Sequence, residues 1–229
     1  MFVNHAITYN DLWASQLKPV TGKWYPWPEV YSALGVKGLH GCTVLMITTK
    51  DGVYLSHMFE SPIFRSGDEP TVPDDYFMDQ TFNALRTGRT ALDGVNDQVE
   101  PMQGLWGTDE HPGPLHRTNN PQLIIITPFV ESRQPQEYVY PQRVSWLAAQ
   151  FTHFLYFPSS GAPEDKAPII RGYERTDFWE SNNDDSDSGK AILEVEKYNR
   201  YLQIGTRFLP IGQWRLWLCG KHVMDYEFW

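Results

Sequence analysis

Cys42-Thr43-Val44-Leu45-Met46-Ile47-Thr48-Thr49 is an unbroken β-branched and apolar run, followed by Lys50-Asp51-Gly52 and then Val53-Tyr54-Leu55-Ser56-His57-Met58-Phe59. The first run predicts a buried strand, the Lys-Asp-Gly step a tight turn, and the last run a returning strand. Working outward, Pro73-Asp74-Asp75 caps a helix that runs to about Arg86, with Phe77, Phe82 and Leu85 near helical spacing and Thr87-Gly88 as its end. Gln122 to Thr127 encloses Leu123-Ile124-Ile125-Ile126 and predicts a second buried strand. Pro141 suits a first helical turn, and Val144, Leu147, Phe151 and Phe154 follow as an apolar stripe. Strand character returns at Ile169-Ile170, Ala191 to Val195 and Trp214 to Leu218. The first forty residues, rich in aromatics and prolines, are expected to be loops wrapping a core, and residues 93 to 120 a long surface excursion. With no repeat and no linker-like stretch, the expectation is one α+β domain spanning 1–229.

The 229 residues are 41% hydrophobic, 21% charged and 14% aromatic, enough to enclose a core and unlike a disordered chain. The 19 basic and 28 acidic side chains, a formal charge of −9, argue against a general nucleic-acid-binding surface. No run approaches the roughly 18 apolar residues of a spanning helix, and Met1-Phe2-Val3-Asn4-His5 lacks the basic and apolar regions of a secretory signal, so a soluble chain is expected. Two cysteines, Cys42 and Cys219, form neither a disulfide scaffold nor a four-cysteine zinc site.

The densest chemistry lies in Gly38-Leu39-His40-Gly41-Cys42-Thr43 and in Ser56-His57 on the return strand. Glycines before a cysteine permit close approach to its backbone, where N–H groups can stabilise an oxyanion, and a neighbouring imidazole can take the thiol proton. Cys42 and His57 are separated by a hairpin's length. A two-residue Asp51-Gly52 turn sets His57 opposite Met46 with Cys42 two pairs further along, whereas a three-residue Lys50-Asp51-Gly52 loop sets the two on opposite faces. Contact in either register requires a bulge or a cysteine at the strand lip. Val53, Leu55, His57 and Phe59 share one strand face, so His57 also reads as a core histidine and Cys42 as a buried thiol.

Leu39-His40-Gly41-Cys42 resembles the Leu-x-Gly-Cys element of the bacterial cysteine deamidases typified by the catalytic domain of cytotoxic necrotizing factor and a bacterial lethal-factor toxin. His57 is similar in order and spacing to the histidine of that family and of the chemoreceptor glutamine deamidases. The stretch Gly38 to Glu60 also resembles a motif of fungal proteins. The resemblance implies β-sandwich-like central sheets flanked by helices, Cys42 as nucleophile, His57 as general base, and Leu39, His40, Gly41 and Thr43 as binding residues around the thiol. It implies a toxin- or effector-like glutamine deamidase, with a protein substrate presenting a glutamine and no cofactor, acting in another cell's cytosol. His40 stands where the family carries a small serine, and the group that orients the histidine has no matching motif. An amine in place of water makes the same site a transglutaminase.

Other features carry weaker chemistry. Asn183, Asp185, Asp187 and Glu194 follow EF-hand spacing, but Ser188 replaces the turn glycine and Lys190 an apolar position, so a solvated acidic loop is expected. His111 and His116, flanking Pro112-Gly113-Pro114, fit no zinc spacing and read as a turn. Cys219 reads as strand packing, and Cys42, kept accessible by Gly38 and Gly41, is expected to be the reactive thiol. Trp24, Tyr25, Trp27, Tyr31, Trp214 and Trp217 offer an alternative without catalysis, an aromatic platform for carbohydrate or a protein partner. A third reading is a non-catalytic relative that keeps the hairpin and buries the cysteine.

Overall fold

The computed structural model describes residues 8–9, 19–28, 31–67, 71–89, 99–131, 136–156, 166–183 and 185–229. Its strands are β1 (Thr8–Tyr9), β2 (Val20–Pro26), β3 (Tyr31–Val36), β4 (Thr43–Thr48), β5 (Gly52–Met58), β6 (Gln122–Pro128), β7 (Ile169–Tyr173), β8 (Ala191–Ile204), β9 (Arg207–Leu218) and β10 (Lys221–Phe228). The helices are α1 (Glu60–Ile63), α2 (Asp74–Met78), α3 (Ala84–Thr87), α4 (Met102–Trp106), α5 (Pro141–Tyr156) and α6 (Phe178–Asn182). The architecture is α+β, with two five-stranded, mostly antiparallel sheets flanked by helices. The chain gathers into two compact units and, among the described residues, passes from one to the other between Tyr25 and Pro26, between His40 and Gly41 and between Glu174 and Arg175. Each unit is assembled from separated segments, so no linker-like composition marks a boundary, which is why the sequence reads as one span.

The unit holding β4 and β5 orders its strands β2-β5-β4-β6-β7. Every residue of β4, β5 and β6 is buried, so this part of the sheet is covered on both faces, and unbroken apolar runs, not alternating ones, are what such strands require. One face carries Leu45, Ile47, Leu123 and Ile125 against Val144, Leu147, Phe151 and Leu155 of α5. The parallel pairing of β6 and β7 follows from α5, which crosses between them. The helix from Asp74 to Thr87 contains a π-turn at Asp79–Asn83. Its wider turn brings Phe82, five residues after Phe77, onto the core side, a spacing that a regular helix would rotate away.

Two regions depart from the sequence reading. Within the first forty residues, Val20–Pro26 and Tyr31–Val36 are strands, because backbone pairing to neighbours far along the chain outweighs the turn preference of the flanking prolines. Within 93–120, the described residues 99–120 run largely along the surface as expected but send Val99, Met102 and Leu115 into the core, with glycines at tight turns around them. Gly113 donates its N–H to Trp106 O at 3.0 Å, and a Cβ there would overlap the Leu105 carbonyl oxygen. Because the obstacle is main chain and not a movable side chain, Gly113→Ala is expected to lower stability by about 1–3 kcal/mol in urea unfolding. An unchanged midpoint would show that this turn is not tightly packed.

The other unit orders its strands β1-β3-β8-β9-β10. Here the pattern does alternate. Ala191, Leu193 and Val195 of β8 and Trp214, Leu216 and Leu218 of β9 are buried, while the residues between them are partly exposed. The β9–β10 turn is Cys219–Gly220, with φ of 48° and 73°, the left-handed pair of a type I′ hairpin.

Candidate functional site

The β4–β5 ladder is regular from Thr43↔Met58 to Thr48↔Val53, and Thr49 N–H donates to Gly52 O at 2.9 Å. The turn is therefore Lys50-Asp51, with Gly52 already on the return strand. This corrects both registers read from the sequence and removes the need for a bulge. His57 stands opposite Val44, and strand alternation continued back to Cys42 places the thiol on His57's face, one pair further along. Diagonal neighbours of this kind have Cα atoms about 7–8 Å apart, with side chains within reach of each other.

Main-chain anchors hold the two residues in place. Tyr173 at the end of β7 donates its hydroxyl to Cys42 O at 2.7 Å, and Thr21 on β2 donates to His57 O at 3.3 Å. Phe59 N–H donates to Pro19 O at 2.8 Å, tying the end of β5 to the start of β2. Thr43 Oγ1 shares a 3.1 Å hydrogen bond with Thr127 Oγ1 on β6. The Glu60 side chain lies over Gly41, where any Cβ would meet its carboxylate, and Glu60 Oε1 accepts from Tyr140 OH at 2.6 Å. A side chain at 41 would therefore have to displace the Glu60 carboxylate. None of Tyr173, Thr21, Thr127 or Tyr140 carries a local sequence signal, since each joins the site through a strand or helix distant in the chain.

Burial runs against one expectation. Cys42 is 1% and His57 3% exposed, and Leu39 and Thr43 are fully buried, so the flanking glycines do not open the thiol to solvent. Cys219, expected to pack in a strand, sits half-exposed in the β9–β10 turn. Native-state iodoacetamide labelling is accordingly expected to modify Cys219 about a hundredfold faster than Cys42, with the difference lost in denaturant. Faster labelling of Cys42 would show that this face of the sheet opens readily.

Leu39 and His40 belong to the other unit. There, Gly38 adopts φ 83° and donates to Ser181 O at 3.0 Å, and Leu39 N–H donates to Gly189 O at 2.9 Å. The His40 Nδ1–H donates to Gly38 O at 3.0 Å, and the ring meets Phe178 of α6 edge-on at 5.4 Å. His40 is half-buried and fills space against α6.

The remaining candidates resolve into structural roles. The buried His116 donates from Nε2 to Asp109 at 3.0 Å and holds Thr118 through Nδ1 at 2.9 Å, locking a turn. Glu194 accepts from Tyr31 OH and Trp217 Nε1, each at 2.7 Å, and lies on β8 instead of in a loop with Asp185 and Asp187. Burial and this carboxylate push the Tyr31 hydroxyl pKa up. Among the described residues no three His, Cys, Asp or Glu side chains gather as a metal site. Of the six aromatics, Trp24 and Tyr25 fall in the β4–β5 unit and the others in its companion, where Trp214 is buried and Trp217 lies on the opposite sheet face. No helix among the described residues is long and apolar enough to cross a membrane. Two clefts, of about 390 Å³ beside Tyr140, Arg143 and Trp146 and about 530 Å³ between α5 and β7, touch neither Cys42 nor His57.

Comparison with protein-family models and with curated proteins finds no match to this chain.

Proposed function

We propose that the chain hydrolyses the side-chain amide of a glutamine on a protein partner, with Cys42 as nucleophile and His57 as general base. The observation that supports this reading is the β4–β5 register, in which His57 pairs with Val44 while Cys42 lies just before Thr43, the first residue of the ladder, so that continued alternation would bring the two to one face. The Cys42 thiolate attacks the carboxamide carbon, and backbone N–H groups about Gly41-Cys42 receive the developing oxyanion. His57 protonates the departing ammonia, then activates water against the thioester; a primary amine in place of that water gives transglutamination. Turnover requires a state in which Cys42 is more open than its 1% exposure here. Mass spectrometry of cell-lysate proteins incubated with wild type and with Cys42→Ser tests the reading. Glutamines should gain about one mass unit, the difference between amide and acid, with the wild type alone. Equal modification by both proteins would remove Cys42 from the chemistry.

The near-complete burial of both side chains favours a second reading, a non-catalytic relative that keeps the hairpin as core. Under it neither protein modifies the lysate, and Cys42→Ala is tolerated as a core substitution.

A further inference from the structure

The β8–β9 pair runs on past its neighbours. Pairing with β3 ends at Tyr31↔Glu196 and pairing with β10 at Phe228↔Gly212, yet the two strands stay paired from Arg200↔Ile211 to Ile204↔Arg207. Among the described residues this terminal ribbon has no strand on either flank. Tyr201, Leu202, Ile204 and Phe208 on it are 42–65% exposed, as is Tyr198 in the bulge just before it. Alternation puts Leu202 and Ile204 on one face and Tyr201 and Phe208 on the other, so both faces are apolar.

The two open edges are not equivalent. On β9, Pro210 removes a backbone donor and Arg207 adds a charge, both devices that protect an edge. On β8, Arg200–Ile204 has no proline. Its one charge, Arg200, is already answered by Glu227 through hydrogen bonds at 3.0 and 2.6 Å. A bulge between Glu196 and Arg200 in the β8–β9 pairing precedes this stretch.

We propose that the β8 edge Arg200–Ile204 pairs antiparallel with the same edge of a second copy of this chain, about a two-fold axis at Leu202. In that register Leu202 meets Leu202 of the other copy, Tyr201 meets Gln203, and Ile204 meets Arg200. Nothing in this arrangement sets two unanswered charges face to face. Tyr201, Leu202 and Ile204, 42–62% exposed on the β8 edge, would be covered on both copies, an interface at the small end of the range for specific association. A lipid surface fits less well, because a ribbon entering hydrocarbon would carry unpaired edge N–H and C=O groups with it. The inference is independent of Cys42 and of any catalysis.

Sedimentation and light scattering across about 1–100 µM, the range in which an interface of this modest size should associate, provide the first test. Wild type should reach twice the chain mass, and Leu202→Lys, which sets two ammonium groups together on the axis, should raise the dissociation constant about a hundredfold. In a Cys219→Ser background, Leu202→Cys should cross-link to its own copy under mild oxidant, since opposed strand positions suit a disulfide, whereas Phe208→Cys, one strand away, should not. The cysteine pair keeps the test decisive if the lysine variant fails to fold. A monomer throughout the range, a dimer indifferent to Leu202→Lys, or equal cross-linking at both positions would overturn the proposal. So would a monomer that co-sediments with phosphatidylserine vesicles, which would assign the ribbon to a membrane surface.

Discussion

If the chain is the glutamine deamidase proposed, Cys42→Ser is expected to abolish ammonia release from a protein glutamine, and His57→Ala to lower it by about 10²–10⁴-fold, the usual contribution of a positioned acid–base group. Serine keeps the volume and the main-chain hydrogen bond from Tyr173 but has no thiolate at neutral pH, so the loss would be chemical and not structural. His57→Ala also opens a void beside Val44 and Leu55, and Gln in its place, closer in volume, separates loss of the base from loss of packing. Because nucleophile and base act as one unit, the double variant should be no less active than the worse single variant. The measurement is ammonia release together with the one-unit mass gain at glutamine, with circular dichroism as the control for folding. Retained activity in Cys42→Ser would end the deamidase reading.

Phe151→Ala is expected to lower the free energy of unfolding by about 3–5 kcal/mol, a large fraction of the total stability of an ordinary domain. Phe151 is fully buried on α5, its ring meets Phe82 edge-on at 5.1 Å, and it belongs to the same core as Leu45, Leu123 and Leu147. Its removal therefore costs transfer energy and leaves a cavity between helix and sheet. Gln142→Ala, on the exposed first turn of the same helix, should stay within about 0.5 kcal/mol of wild type. Urea unfolding of both variants measures the difference, and a loss below about 1 kcal/mol for Phe151→Ala would mean that α5 is not seated on the sheet as described.

Continuous apolar runs and a helical stripe declare their own secondary structure, because burial and local periodicity are properties of neighbouring residues. The β4–β5 hairpin, β6, the helical stretch from Asp74 and α5 were for that reason legible in the sequence alone, as was the α+β class. The pairing of Cys42 with His57 as a candidate site was legible only as a spacing. Its register depends on where the turn closes, and Thr49 N–H to Gly52 O sets that in a way the Lys-Asp-Gly residues themselves do not specify. Partners distant in the chain decided the rest. Tyr173, Thr21 and Tyr140 reach the hairpin from other strands and from the residue before α5; β2 and β3 form because strands far along the chain pair with them; and Cys42 is sealed although Gly38 and Gly41 precede it. Pairing and enclosure are sums over residues remote in sequence, so only the tertiary structure evaluates them.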